Sequence, residues 1–209
     1  MKSEINRQKC KLKILNSALN EFSEKGFNGA RVEVIAAKAR INPAMLYYYI
    51  GSKTELYKQA ITMIAKQELT NIWPDFPQSW QLDYVDEVHL TMYYLVYYQL
   101  TAVDPRFARL VAWDVAEDNK QLRNLMQTFF MTTRQRFVEL IQNGLATGDF
   151  SVANPALFMH IFFSAIAWHK LSQNSLKGTE FFAEVEEFTN PSLLADFFAR
   201  HSMKSLVSI

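Results

Sequence analysis

The chain has 209 residues, 49% hydrophobic and 21% charged, and its 22 Lys and Arg against 21 Asp and Glu leave a net charge of +1. This composition excludes a disordered chain, and the lone Cys10 excludes an intramolecular disulfide scaffold. The balance hides an asymmetry, because residues 1–66 carry a net charge of +7 and residues 67–209 one of −6. The basic part favours an anionic partner, either nucleic acid or a membrane surface.

The chain shows no pattern of export or membrane insertion. Charged residues rather than an apolar run follow Met1, so no signal peptide is predicted. The most apolar stretch, 156–168, has about 13 residues, fewer than the roughly 18 that span a bilayer. We therefore expect a cytoplasmic protein with no membrane partner.

Apolar residues recur every three or four positions along most of the chain, which predicts an all-α fold. The first helix has an apolar face that includes Ile14, Ala18 and Phe22, and Gly26 ends it. A second, short helix carries Ile35. Helix starts are also predicted at four Asx-Pro pairs, because Asx caps the helix and Pro lacks the amide that would be orphaned. These pairs are Asn42-Pro43, Asp104-Pro105, Asn154-Pro155 and Asn190-Pro191.

The third helix starts at Pro43 and ends at Gly51, and Ser52 with Glu55 forms a capping box for a fourth. A break at the two prolines of 73–77 divides the chain. We predict a head of residues 1–52, a connecting helix of 53–72 and a body of 73–209. Further helices are expected near 80–101, 105–116, 119–145, 155–173, 179–188 and 191–206.

The second and third helices, joined by a short turn, are typical of a helix-turn-helix that places its second helix in the major groove of DNA. The alternative is a plain three-helix packing unit with a solvated Lys-rich face. A basic arm, with Lys2, Arg7, Lys9, Lys11 and Lys13, adds sequence-independent attraction. The residues predicted to contact DNA are Arg31, Arg40, Asn42, Pro43, Ala44, Met45, Tyr47, Tyr48, Tyr49 and Lys53.

Three stretches of the head carry a recognisable pattern: 18–27 (ALNEFSEKGF), 34–36 (VIA) and 45–56 (MLYYYIGSKTEL). With them, residues 14–56 resemble the DNA-binding domain of the TetR family of bacterial transcriptional regulators. The resemblance implies an all-helical homodimer whose third helices enter successive major grooves of a palindromic operator. It also implies a larger C-terminal domain that binds a small-molecule effector and dimerises through its last two long helices.

The sequence departs from the family pattern at two places. Ala30-Arg31 replaces the usual Thr pair at the start of the second helix, and the lost hydroxyl cap costs about 1 kcal/mol. Arg40 replaces the usual turn glycine, and a positive φ there costs a non-glycine residue roughly 1 kcal/mol. The third helix also lacks Arg, Asn and Gln after Asn42, so specificity is expected from apolar contacts, Tyr48 and DNA shape.

In the body, the helix from 155 and the final helix are apolar on most sides, which favours a four-helix bundle between two subunits. The alternative is a monomer whose core covers these faces. The predicted interface residues are Phe158, Phe162, Ile166, Leu194, Phe197 and Phe198.

Between the break at 73–77 and the predicted bundle lie many aromatic residues, some of which carry a hydroxyl or imidazole group. This combination favours a pocket for a mainly apolar or aromatic effector. The alternative for each residue taken alone is that it belongs to the ordinary hydrophobic core. The predicted lining residues are Tyr93, Tyr97, Trp113, Met126, Phe130 and His160.

No catalytic constellation, metal-ligand set or nucleotide loop is present in the sequence, so we predict no enzyme, no cofactor and no metal. The sequence favours a repressor that an effector releases from its operator by tilting the helix at Lys53. The alternatives are a helical-bundle carrier or enzyme, and a membrane-surface protein that uses the basic arm.

Overall fold

The structure is a computed structural model that describes residues 2–70, 84–118, 123, 127, 131–183 and 190–206. Its helices are α1 (Lys2–Gly29), α2 (Val32–Ala39), α3 (Pro43–Ile50), α4 (Lys53–Thr70), α5 (Tyr84–Thr101), α6 (Pro105–Ala116), α7 (Met131–Thr147), α8 (Pro155–Leu176), α9 (Glu180–Ala183) and α10 (Pro191–Leu206). The predicted all-α fold is confirmed. Parts of the helices predicted near 80–101, 119–145 and 179–188, and the break at 73–77, lie outside the described residues.

All four Asx-Pro pairs cap helices as predicted. In each pair, Oδ1 of the Asn or Asp side chain accepts a hydrogen bond from the backbone amide two residues later. The donor amides and acceptor side chains are Ala44 and Asn42 at 2.8 Å, Arg106 and Asp104 at 2.9 Å, Ala156 and Asn154 at 3.1 Å, and Ser192 and Asn190 at 2.9 Å. Each bond satisfies an amide that the helix itself leaves orphaned. These helix starts are therefore encoded locally.

The chain forms two compact units, each continuous in space but not in sequence. Unit 1 comprises Met1–Glu68 and Asp104–Phe129, and unit 2 comprises Leu69–Val103 and Phe130–Ile209. Helix α6 thus packs with the head, although it follows the predicted break. The domain boundaries placed at 52 and 72 stay predictions.

Unit 1 is built around α1, which packs on α2 and α6. The apolar face predicted for α1 is buried, with Ile14, Ala18 and Phe22 fully inaccessible to solvent. The Phe22 ring meets the buried Tyr57 ring of α4 edge to face, with centroids 4.8 Å apart. This packing holds the short α2 and α3, which are too short to be stable alone, in one arrangement.

Unit 2 centres on α5, which lies along α10 and also packs on α7 and α8. The fully buried Phe137 of α7 stacks on Phe162 of α8 at 5.8 Å. The Lys170 ammonium donates hydrogen bonds to the carbonyl oxygens of Gln99, at 2.5 Å, and Val103, at 2.9 Å. It thereby satisfies the Gln99 carbonyl, which the last turn of α5 leaves orphaned, and the Val103 carbonyl just after that helix.

None of the helices in the described part of the chain combines the length and the apolar character that a membrane crossing requires.

Candidate DNA-binding surface

The turn between α2 and α3 contains a residue with left-handed backbone, a position that glycine commonly occupies in a helix-turn-helix. Arg40 ends α2 with φ 58° and ψ 45°, and its amide donates to the carbonyl of Ala37 at 3.0 Å. The Ile41 amide donates to the Ala36 carbonyl, also at 3.0 Å. These two bonds hold the turn despite the strain of a side chain at positive φ.

Helix α3 presents one buried and one exposed face. Leu46 and Ile50 are buried in unit 1. The outward face carries Tyr48, which is 78% exposed, together with Met45 and Tyr47. Of the other predicted contacts, Asn42 and Ala44 are exposed and Pro43 and Tyr49 half-buried. The predicted DNA-contacting residues from Asn42 to Tyr49 are thus gathered around one short helix.

Helix α4 begins directly after α3 with the predicted Ser52 cap, whose hydroxyl accepts the Glu55 amide at 3.1 Å. The Lys53 ammonium lies 4.9 Å above the centroid of the Phe27 ring and 3.4 Å from the Asn28 carbonyl oxygen. The Lys53 side chain is half-buried. These contacts hold its charge at the end of α1, beside the start of α4.

Helix α2 lacks a side-chain cap, as the departure at Ala30-Arg31 predicts. Arg31 stands at the N-cap position with extended backbone, and its side chain makes no capping bond. Arg31 is also exposed, so its guanidinium is available to a phosphate.

Replacing Arg31 by serine is expected to raise the free energy of unfolding by about 1 kcal/mol relative to Arg31→Ala, because only serine supplies the missing cap. Both variants remove the same charge, so urea denaturation of the pair isolates the cap. Equal stabilities would show that the first turn of α2 does not need a side-chain acceptor.

Helix α6 is bonded to the end of α1 by contacts that span about 90 residues of sequence. Gly26 interrupts α1 with φ 68°, and the amides of Phe27 and Asn28 after it donate to the Glu117 carboxylate at 3.1 and 3.3 Å. The Trp113 indole Nε1 donates to the Ser23 carbonyl at 3.2 Å. The predicted helix end at Gly26 is confirmed, whereas the role of Glu117 was not foreseen.

A second set of bonds joins α6 to α1 and α4. The Tyr57 hydroxyl of α4 lies 3.3 Å from Oδ1 of the buried Asp114, and burial first, then this carboxylate, raises the pKa of Tyr57. The Arg106 guanidinium donates a hydrogen bond to the Asn20 side chain of α1 at 2.8 Å. It also donates to the Asp104 carboxylate, and this second bond raises the pKa of Arg106. Tyr57 is therefore a neutral donor, and α6 is bonded to both α1 and α4.

The predicted effector-pocket residues lie in different places. Tyr93 and Tyr97 stack along α5 at 6.1 Å, Tyr93 half-buried against the core of unit 2 and Tyr97 39% exposed. His160 lies on the exposed side of α8, and Trp113 belongs to α6 in unit 1. Met126 and Phe130 are outside the described residues. The lining of a pocket stays a prediction.

The predicted interface residues differ in their exposure to solvent. Phe162, Ile166 and Leu194 are buried within unit 2, Phe158 and Phe198 are half-buried, and Phe197 is 40% exposed. The large apolar side chains that α8 and α10 leave exposed are Phe197, which was predicted, and Leu157, Ile161, Trp168 and Leu193, which were not. The apolar periodicity located both helices but not which face is turned to solvent.

Within the described residues, no three His, Cys, Asp or Glu side chains are grouped so that they could hold a metal ion.

Residues 14–60, which contain the capped helix-turn-helix and its exposed third helix, match the family model of bacterial regulatory proteins of the tetR family. The geometry and this match together define the class of protein: a DNA-binding transcriptional regulator. The predicted resemblance is thereby confirmed, and this chain carries the DNA-binding domain of the TetR family.

Curated relatives agree with this assignment. The negative transcriptional regulator IcaR of the biofilm operon icaADBC, from Staphylococcus aureus (strain Newman), is 25% identical over 143 residues, which are 62% of this chain and 76% of IcaR. The HTH-type transcriptional repressor NicS from Pseudomonas putida is 48% identical over 44 residues, 21% of each chain.

The fold has a counterpart among solved structures. A TetR-family regulatory protein from Rhodococcus RHA1 superposes with a TM-score of 0.71 at 18% identity, covering 96% of this chain and 98% of that one. At this identity the likeness concerns the fold alone.

Proposed function

We propose that this protein is a cytoplasmic repressor that binds a palindromic operator as a homodimer, has no enzymatic activity, and leaves the operator when a small, mainly apolar or aromatic effector binds. The observation that carries the proposal is α3, capped at Asn42 and exposed along its outer face. Its relatives IcaR and NicS are named as a negative transcriptional regulator and a repressor.

Dimerisation on α8 and α10 is supported by the apolar side chains that these helices expose. Leu157, Ile161 and Trp168 recur along one side of α8, and Leu193 and Phe197 share one side of α10. Burying such stripes against a second copy removes apolar surface from water and places two α3 helices about a two-fold axis. Two half-sites about 34–36 Å apart then become accessible together.

Release of the operator is proposed to run through α6. The chain passes from unit 2 into α6 at Val103-Asp104, and α6 is bonded to α1 through Glu117 and Trp113 and to α4 through Asp114. A shift of α6 thereby turns α4, and α3 with it. Because both α3 helices must dock at a set spacing, a small rotation lowers operator affinity.

Selecting duplexes from the fragmented source genome with the purified protein tests the proposal. Enrichment of a two-fold symmetric sequence, with loss of binding when a pocket ligand is added, is the expected result. Failure to enrich any sequence would refute the repressor proposal, and enrichment of an asymmetric site would refute the dimer.

Tyr48 and Lys53 are expected to have separable roles on the selected sequence. Tyr48→Ala relaxes preference at the bases it faces, by about 1–3 kcal/mol of discrimination. Lys53→Ala weakens binding to all duplexes alike and lowers the slope of log affinity against log salt by about 0.9. Fluorescence anisotropy over a salt series, on selected and scrambled duplexes, measures both effects.

Tyr48→Phe is the matched control, because it keeps the ring and removes only the hydroxyl. If Tyr48→Ala and Lys53→Ala change affinity equally for selected and scrambled DNA, the division between base and phosphate contacts is wrong.

A further inference from the structure

A groove of about 430 Å³ lies beside the helix-turn-helix, away from the exposed face of α3. It is lined by Leu12, Lys13, Asn16 and Ser17 of α1 and by Lys38, Ala39 and Arg40 at the end of α2. Leu12 and Ala39 contribute apolar surface, and three cationic side chains stand around the groove where α1 meets the turn.

Two of its three cations carry unmatched charge. The Lys38 ammonium donates to Oε2 of the buried Glu21 at 2.7 Å, a bond that raises the pKa of Lys38 and joins α1 to α2. A second carboxylate, that of Glu24, lies 3.9 Å from the same ammonium. Lys13 and Arg40 are both exposed, and neither side chain has an ion pair with any residue that the structure describes. The groove thus has two cations available to an anion.

The backbone at Arg40 gives an independent reason to assign it a role. At φ 58° a glycine relieves strain of roughly 1 kcal/mol, yet the position carries a long cationic side chain. The geometry of the turn does not need that side chain, because the Arg40 and Ile41 amides alone make its bonds. A function in binding accounts for the side chain.

The arm of α1 continues from the groove. Helix α1 begins at Lys2, 12 residues before the first buried core residue, Ile14, and at 1.5 Å per residue this arm is about 18 Å long. Arg7 and Lys11, like Lys9 and Lys13, stand four residues apart on the helix, a spacing at which like charges repel. An anionic partner along the arm relieves that repulsion.

We propose that the groove binds a backbone phosphate of duplex DNA outside the base pairs faced by α3, and that the arm follows the flanking duplex. The inference rests on the proposed operator binding and extends its footprint. An open groove with cations on both walls suits a phosphodiester, which carries one negative charge and exposed oxygens. At 3.4 Å per base pair, the arm covers about five base pairs of flank.

Two duplexes test this: the selected operator ending at its palindrome, and the same operator extended by about six base pairs on each side. Wild-type protein is expected to bind the extended duplex about tenfold more tightly. Lys13→Ala and Arg40→Gly each lower affinity for the extended duplex about three- to tenfold and reduce its salt slope by about 0.9. On the short duplex both variants are expected to lose less affinity than on the extended one.

Arg40→Lys, which keeps the charge, is expected to retain the preference for the extended duplex. Lys177→Ala is the matched control, because it removes the same charge from an exposed site at the end of α8. Equal losses on both duplexes, or none on either, would overturn the groove assignment. Lys13-dependent binding to phosphatidylglycerol vesicles without any effect of duplex length would overturn it in favour of a membrane. If wild-type protein binds neither duplex, the proposed function itself fails.

Discussion

Replacing Ile161 by glutamate is expected to convert the proposed dimer into a folded monomer with at least about 100-fold lower operator affinity. Ile161 is 59% exposed in one protomer, between Leu157 and Trp168 on α8, so the substitution leaves the core of unit 2 intact. At an interface it buries a charge without a partner, which costs several kcal/mol. Losing one of two linked α3 helices then removes the gain from simultaneous docking.

Light scattering gives the oligomeric state of this variant, and anisotropy with the selected duplex gives its affinity. Val115→Glu is the matched control, because Val115 is 76% exposed on α6, outside the proposed interface, and undergoes the same chemical change. The control is expected to remain dimeric. A dimeric Ile161→Glu protein at micromolar concentration would place the interface elsewhere.

Gly26→Ala is expected to lower the free energy of unfolding of unit 1 by about 2–4 kcal/mol and to weaken DNA binding. At φ 68° an alanine is strained, and its Cβ would lie 2.5 Å from Oε1 of Glu117 and 3.0 Å from the Trp113 ring. Relief of that overlap displaces Glu117 from the Phe27 and Asn28 amides, which then lose their acceptor. Urea denaturation measures the stability, and anisotropy measures the affinity.

Two other glycines separate the causes of this loss. Gly51 also has a positive φ, 101°, but nothing lies within 4 Å of an added Cβ, so Gly51→Ala reports backbone strain alone. Gly29 has neither strain nor close contacts, since its nearest neighbour is Cβ of Lys25 at 3.5 Å, and Gly29→Ala is expected to be nearly neutral. If Gly26→Ala costs no more than Gly51→Ala, the contact with α6 contributes nothing to stability.

The sequence predicted the helix-turn-helix well because its signals are local. Asn42 caps the helix that begins one residue later, Ser52 bonds the amide of Glu55, and Gly26 interrupts α1 where the apolar face ends. Each of these interactions spans at most a few residues, so residue type and spacing suffice to predict it. The uncapped start of α2 at Arg31 was predictable for the same reason.

The contacts of α6 could not be predicted from local sequence signals. Trp113 was assigned to an effector pocket from its residue type alone, yet its indole Nε1 donates a hydrogen bond to the Ser23 carbonyl in unit 1. Glu117 carries no motif that distinguishes it from other surface carboxylates, and its bonds to Phe27 and Asn28 join residues about 90 positions apart. Only the packing of α6 on α1 brings these groups together.

The sequence by itself determined the all-α class, the helix starts at the Asx-Pro pairs, and the family resemblance of residues 14–56, because caps and short-range periodicity encode them. The tertiary structure decided which face of an almost wholly apolar helix turns to solvent, and so exposed Ile161 while burying Ile166. It also placed α6 with the head and opened the groove between Lys13 and Arg40. These features depend on which surfaces exclude water together, a property of the assembled core rather than of any local segment.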